Sequence, residues 1–206
     1  MDITPDGSRV YTVNYVDGLP GTGTSSVIDT ATNTLVATIP GFFGPFGLAI
    51  APNGRRAYVT NFGSNDFSPF GTTVSVVDLR TNTIRATVEV GIQPAGVAVT
   101  PDSRFVLVTN FNSLYAHPNF QDLTPGQGTV SVIDARRNKL VPPTVDVGEG
   151  PHAVVLRALC DGSLVGLVSN FTYNSLSVLS LREFPAAPRH REPESSGTGS
   201  LPSSVR

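Results

Sequence analysis

The stretch Gly96-Val97-Ala98-Val99-Thr100-Pro101-Asp102-Ser103-Arg104-Phe105-Val106-Leu107-Val108-Thr109-Asn110-Phe111 reads as strand, turn, strand. Two apolar runs, Val97–Val99 and Phe105–Val108, flank a Thr-Pro-Asp-Ser corner. Pro101 fixes φ there, and the Asp102 side chain suits a tight reversal because it can bond the backbone two residues on. A third β-rich run, Thr129–Ile133, follows and ends in Asp134.

The same pattern recurs along the chain. The turn appears as Thr4-Pro5-Asp6-Gly7 and Ala51-Pro52-Asn53-Gly54 before Thr100-Pro101-Asp102-Ser103. Each is followed by an apolar strand ending in Asn, and Pro5 to Asn14, Pro52 to Asn61 and Pro101 to Asn110 all span nine residues. Then come Val27-Ile28-Asp29, Val76-Val77-Asp78 and Val132-Ile133-Asp134, with Asn33, Asn82 and Asn138 four positions after each Asp. That Asp-x-x-x-Asn spacing is hairpin chemistry, because Asn tolerates the left-handed conformation other residues avoid. The repeat is 47 residues long from Pro5 to Pro52 and 49 from Pro52 to Pro101. A unit of that length filled with four short strands is the signature of a β-propeller blade.

Tyr58-Val59-Thr60-Asn61 and its near-copies, with the Pro-Asp-Gly turn and the Val27–Thr34 segment, resemble the YVTN family of β-propeller repeats. The resemblance covers roughly residues 2–181. It implies an extracytoplasmic protein, secreted, periplasmic or at the cell surface, as in surface-layer proteins. Propellers carry many unrelated activities, so the fold by itself implies no particular one.

The expected fold is therefore all-β, a propeller of four-stranded antiparallel blades. Residues 1–184 hold about four of them, at approximately 1–41, 42–90, 91–148 and 149–184. Blade one has strands at Arg9–Asn14, Ser26–Asp29 and Thr34–Ile39, with Met1 inside its innermost strand. Blade two runs Phe46–Ile50, Arg56–Asn61, Thr73–Asp78 and Thr83–Val88. Its loop Phe62–Gly71 carries two aromatics expected to be exposed, Phe67 and Phe70. Blade three ends in Lys139–Val147, which Pro142-Pro143 confines to an outer edge or a bulge. Blade four begins at His152–Leu156 and continues through Leu164–Asn170 and Ser175–Leu181, with no outer strand after it. Residues 185–206 are rich in Pro, Ser and Gly and are expected to be disordered. Because the two ragged ends do not complement each other, the chain reads as part of a longer propeller. A self-closed ring of four blades is the second reading.

At 206 residues, with 15% charged residues and a net charge of −2, nothing in the composition favours nucleic acid or an anionic membrane. Lys139 is the only lysine; the arginines are scattered along the chain and read as compositional bias rather than phosphate recognition. No run approaches the length that spans a bilayer, and Met1-Asp2-Ile3-Thr4 lacks the features of a signal peptide. Cys160, the single cysteine, is expected to be a small buried group at a strand edge.

Candidate chemistry is sparse. Gly21–Gly23 precedes a strand rather than a helix, which excludes a phosphate loop. Most carboxylates belong to the turns and hairpins, and no serine sits in a Gly-x-Ser-x-Gly setting. His152 occupies the repeat column of Phe46 and Ala95, just before the innermost strand, and the YVTN resemblance puts that column near the mouth of the central channel. The long insertion Phe111–Gly128 holds Tyr115 and His117, and long loops on rigid scaffolds often carry binding residues. The expected ligand-binding set is thus His152, Phe46, Tyr115 and His117, with no catalytic residue, metal site or cofactor. The expected function is a non-enzymatic scaffold binding a protein or small molecule. The alternative is a lactonase-like or quinoprotein-associated propeller enzyme with its site at the channel. Open blade faces are also expected to promote self-association.

Overall fold

The computed structural model describes residues 1–16, 19–64, 69–112, 128–161 and 163–180. They form fifteen strands and, among the described residues, no helix. The first sheet contains β1 (Asp2–Ile3), β2 (Arg9–Asn14), β3 (Gly23–Asp29) and β4 (Thr34–Phe42). The second is β5 (Pro45–Ile50), β6 (Arg56–Gly63), β7 (Phe70–Asp78) and β8 (Thr83–Glu89). The third is β9 (Pro94–Val99), β10 (Phe105–Asn110), β11 (Thr129–Asp134) and β12 (Lys139–Asp146). The last described sheet has three strands, β13 (Pro151–Ala158), β14 (Leu164–Asn170) and β15 (Ser175–Ser180). Each sheet is an antiparallel meander in sequence order, so the protein is built as propeller blades.

The turns form for the reasons the sequence suggests. Asp6 and Asp102 accept the N–H of Ser8 (3.0 Å) and Arg104 (3.1 Å), and Asn53 accepts that of Arg55 (3.0 Å). In the fourth sheet, where the proline is lost, Asp161 still accepts the N–H of Ser163 at 2.9 Å. At the outer hairpins Asn33, Asn82 and Asn138 all hold positive φ, between 52° and 54°. β12 lies at a sheet edge, and the pairing of β11 with β12 shifts register where Pro142 and Pro143 sit. A residue without an N–H is tolerated in such a place.

Three apolar layers separate the four sheets. Tyr11, Val27, Ile39 and Phe42 of the first sheet meet Ile50, Ala57, Val59 and Val77 of the second. Tyr58, Val74 and Val76 then meet Val106, Val108 and Ile133. Leu107, Val130 and Val132 meet Val154, Leu164, Val168 and Leu179. Successive residues of β6 and β10 therefore serve opposite layers, Val59 one and Tyr58 the next. That is why these strands are apolar almost throughout and show no alternation.

The sheets pack in sequence order, β1 and β2 on β5, then the inner strands β5 on β9 and β9 on β13. Among the described residues the strands of the fourth sheet do not pack on those of the first, so the ring they form is open rather than a self-closed ring of four blades. The outer face of the fourth sheet is carried by only some residues of each strand. Leu164 and Val168 point into the third layer and are buried. It is Val155, Leu167 and Val178, on the opposite side of the same sheet, that are exposed.

Candidate functional site

The site is built by two repeat columns that meet at the end of the sheets where β5, β9 and β13 begin. The first column follows the strand-ending asparagines. Asn61 donates its amide to the hydroxyls of Thr73 (2.8 Å) and Ser75 (2.9 Å), and Asn110 to those of Thr129 and Ser131 (2.9 Å each). Asn14 and Asn170 make the corresponding pairs with Thr24 and Ser26, and with Ser175 and Ser177. The amide oxygens of Asn61 and Asn110 accept the backbone N–H of Phe43 (3.2 Å) and Gly91 (3.0 Å). Each asparagine thus ties its strand to the following one. It is the strand's last residue in β2, β10 and β14, whereas β6 runs on past Asn61 through Phe62 to Gly63. The next residue is held beside each asparagine. Those residues are Tyr15, Phe62, Phe111 and Phe171.

The second column is Phe46, Ala95 and His152, each at the start of an inner strand. Inner strands approach closely here. A Cβ on Gly47 would lie 2.3 Å from the Ala95 carbonyl, and one on Gly96 would lie 2.7 Å from that of His152. Thr60 reinforces the approach, its hydroxyl accepting the Gly47 N–H (2.7 Å) and donating to the Ala95 carbonyl (2.8 Å).

Between the columns lies a continuous group of rings. Phe46 stands 5.1 Å from His152, nearly perpendicular to it at 85°, and 5.3 Å from Phe62. Phe111 lies 6.0 Å from His152 and 6.1 Å from Phe62, and Phe171 lies 6.3 Å from both Phe111 and His152. Phe46 and His152 come from the second and fourth sheets and meet above the wholly buried Ala95 of the third. Edge-to-face and tilted rings at these separations attract through their quadrupoles. Phe62 is buried, but Phe46 is 39% exposed and Phe171 70% exposed, so one side of the group is open. Such a surface can take a planar or aliphatic group by stacking, with the imidazole as its polar contact. Among the described residues no group of three His, Cys, Asp or Glu is placed to hold a metal ion.

Of the four residues expected from sequence, Phe46 and His152 are brought together. Tyr115 and His117 lie outside the described residues, as does Phe67. Two expectations are corrected. Phe70 belongs to β7, pairing with Gly63 and partly covered, rather than to an exposed loop. Cys160 is exposed, because it sits in the turn between β13 and β14, beyond the apolar layer. The rings Phe62, Phe111 and Phe171 were missed. Their signal was present: an aromatic follows each strand-ending asparagine, in Asn14-Tyr15, Asn61-Phe62, Asn110-Phe111 and Asn170-Phe171.

No protein-family description matches the chain, and no curated protein does. Solved structures do share its fold. Hydrazine synthase from Kuenenia stuttgartiensis superposes over 88% of this chain with a TM-score of 0.68 at 21% identity. A protein of unknown function from Desulfotomaculum acetoxidans covers 86% with a TM-score of 0.55 at 20% identity. The dihydro-heme d1 dehydrogenase NirN, solved in complex with DHE, covers 87% with a TM-score of 0.51 at 19% identity. The chain spans 45%, 53% and 36% of those three chains. At these identities the likeness is one of fold, that of a partial β-propeller.

Proposed function

We propose that this protein is a non-enzymatic, YVTN-type propeller scaffold that binds a ligand or the side chain of a partner protein at the mouth of the arc. What carries the reading is the open ring group, in which Phe46 and His152 from sheets two and four converge beside Phe111 and Phe171. Half-exposed aromatic rings around one polar group are characteristic of binding pockets. The YVTN resemblance supports an extracytoplasmic location, which fractionation of the source cells would test.

The chain contains no tryptophan, so the fluorescence of an added indole reports its own surroundings. Titration of N-acetyltryptophanamide is expected to give a saturable blue shift. Phe46→Ala and His152→Ala, at exposed positions, are expected to weaken it about tenfold, the loss of roughly one stacking contact, without lowering the melting temperature. No saturable signal, or one unchanged by both substitutions, would overturn the reading. Two of the three structural neighbours are enzymes by name, which supports the alternative of a propeller enzyme at the same mouth. His152-dependent turnover of a lactone panel would put that alternative in its place.

A further inference from the structure

Scattered along the chain, the arginines are gathered by the fold. At the end of the sheets opposite the ring group, a groove of about 800 Å³ runs between the first and second sheets. Arg9, Arg55, Arg80 and Arg85 line it, together with part of Arg56, whose guanidinium is turned to the neighbouring groove, against only two carboxylates, Asp6 and Asp78. The chain as a whole carries a net charge of −2, so this groove is a local excess of positive charge. Both carboxylates are already engaged. Asp6 accepts from the Thr4 hydroxyl (2.6 Å) and the Ser8 N–H (3.0 Å). Asp78 accepts from the Arg80 N–H (2.9 Å) and pairs with the Arg85 guanidinium (3.0 Å). Among the described residues, no carboxylate pairs with Arg55 or Arg80, and both are exposed.

The next groove, between sheets two and three, has the same plan and a different outcome. Arg56 takes the place of Arg9, Arg104 that of Arg55, and Arg136 that of Arg80. There the Arg56 guanidinium reaches across to the Ala135 carbonyl and to the side-chain oxygen of Asn138 (3.1 Å). The groove that remains is about 250 Å³. In the first groove the cross-sheet bond is made instead by the Tyr11 hydroxyl, donating to Asn82 at 2.7 Å. One groove is therefore bridged by its arginine, while the other keeps its arginines and a volume suited to a small molecule.

We propose that the groove between the first two sheets binds a small multivalent anion carrying two or more phosphate or carboxylate groups, with Arg55 and Arg80 as its principal contacts. Guanidinium groups match both oxyanions in bidentate geometry. The test is calorimetric titration of the full chain with inorganic pyrophosphate and, separately, with citrate, at about 0.15 M ionic strength so that distant charges are screened. Saturable binding is expected for at least one. Pyrophosphate alone would assign a phosphorylated ligand, and citrate alone a polycarboxylate. Arg55→Gln with Arg80→Gln is expected to weaken binding at least tenfold with the melting temperature unchanged, since both side chains are exposed. Arg104→Gln with Arg136→Gln, in the narrow groove, is expected to leave it intact. Failure of both anions to bind, or binding undiminished in the Arg55→Gln, Arg80→Gln protein, would overturn the proposal. The Phe46→Ala protein separates the two sites, because anion binding at the opposite end should not change in it.

Discussion

Asn82 holds φ at 53° and accepts the Tyr11 hydroxyl from the neighbouring sheet, so it both shapes a hairpin and joins two blades. Asn82→Ala is expected to cost about 1–2 kcal/mol, from the left-handed backbone and the lost acceptor. Asn82→Gly keeps the backbone conformation and loses only the acceptor, so it should recover part of that loss in the denaturation midpoint. Asp6 offers a pH-dependent counterpart. Hydrogen bonds from the Thr4 hydroxyl and from Ser8 hold its carboxyl at about 2, below its ordinary value of 3.8. A depressed folded-state pKa stabilises above the ordinary value, and that stabilisation disappears as pH falls through about 2. Asp6→Asn should therefore lower the melting temperature at neutral pH, and the difference from the parent should vanish on acidification to about pH 2. A difference that persists there would mean the carboxylate is not what holds the turn.

The inner strands show how the blades are held together. Thr60 is wholly buried, and its hydroxyl links the Gly47 N–H on β5 to the Ala95 carbonyl on β9. Thr60→Val keeps the shape and strands both backbone groups. A loss of about 2–3 kcal/mol is expected, more than a methyl-for-hydroxyl exchange on the surface, because a buried unmet donor bears its full desolvation cost. Thr109 repeats the device one blade on, accepting the Gly96 N–H at 2.7 Å and lying 3.4 Å from the His152 carbonyl. Since β5 and β9 carry Phe46 and Ala95, Thr60→Val should also weaken indole binding. Unfolding with an unchanged midpoint would show that the sheets are held by their apolar layers alone.

At the scale of the whole molecule, four sheets enclose three apolar layers, leaving two end faces without a neighbour among the described residues. On the fourth sheet Val155, Leu167 and Val178 are successive cross-strand partners and all exposed, Val178 by 68%. A stripe of this kind is costly in water. The 206-residue chain is expected to self-associate in sedimentation over a concentration series, and Leu167→Lys with Val178→Lys to suppress it. A monodisperse monomer at every concentration would mean that the exposed stripe drives no association.

What the sequence determined by itself is the local design. The Pro-Asp turns and the left-handed hairpin residues follow from interactions spanning only a few residues. The asparagine bonds and the order of strands within each sheet follow from pairings between consecutive strands, where chain-closure entropy is still modest. Even the missed aromatic column was legible, as a residue following each asparagine. What the tertiary structure decided lies between blades. Phe46 meets His152 only because the single inner strand between theirs, β9, packs closely against both and presents the small Ala95 there. Arg9, Arg55 and Arg80 share a groove only because adjacent sheets present their turns side by side. Whether the ring closes depends on the angles accumulated from sheet to sheet. Those angles are set by the packing of whole faces, which no local pattern of residues encodes.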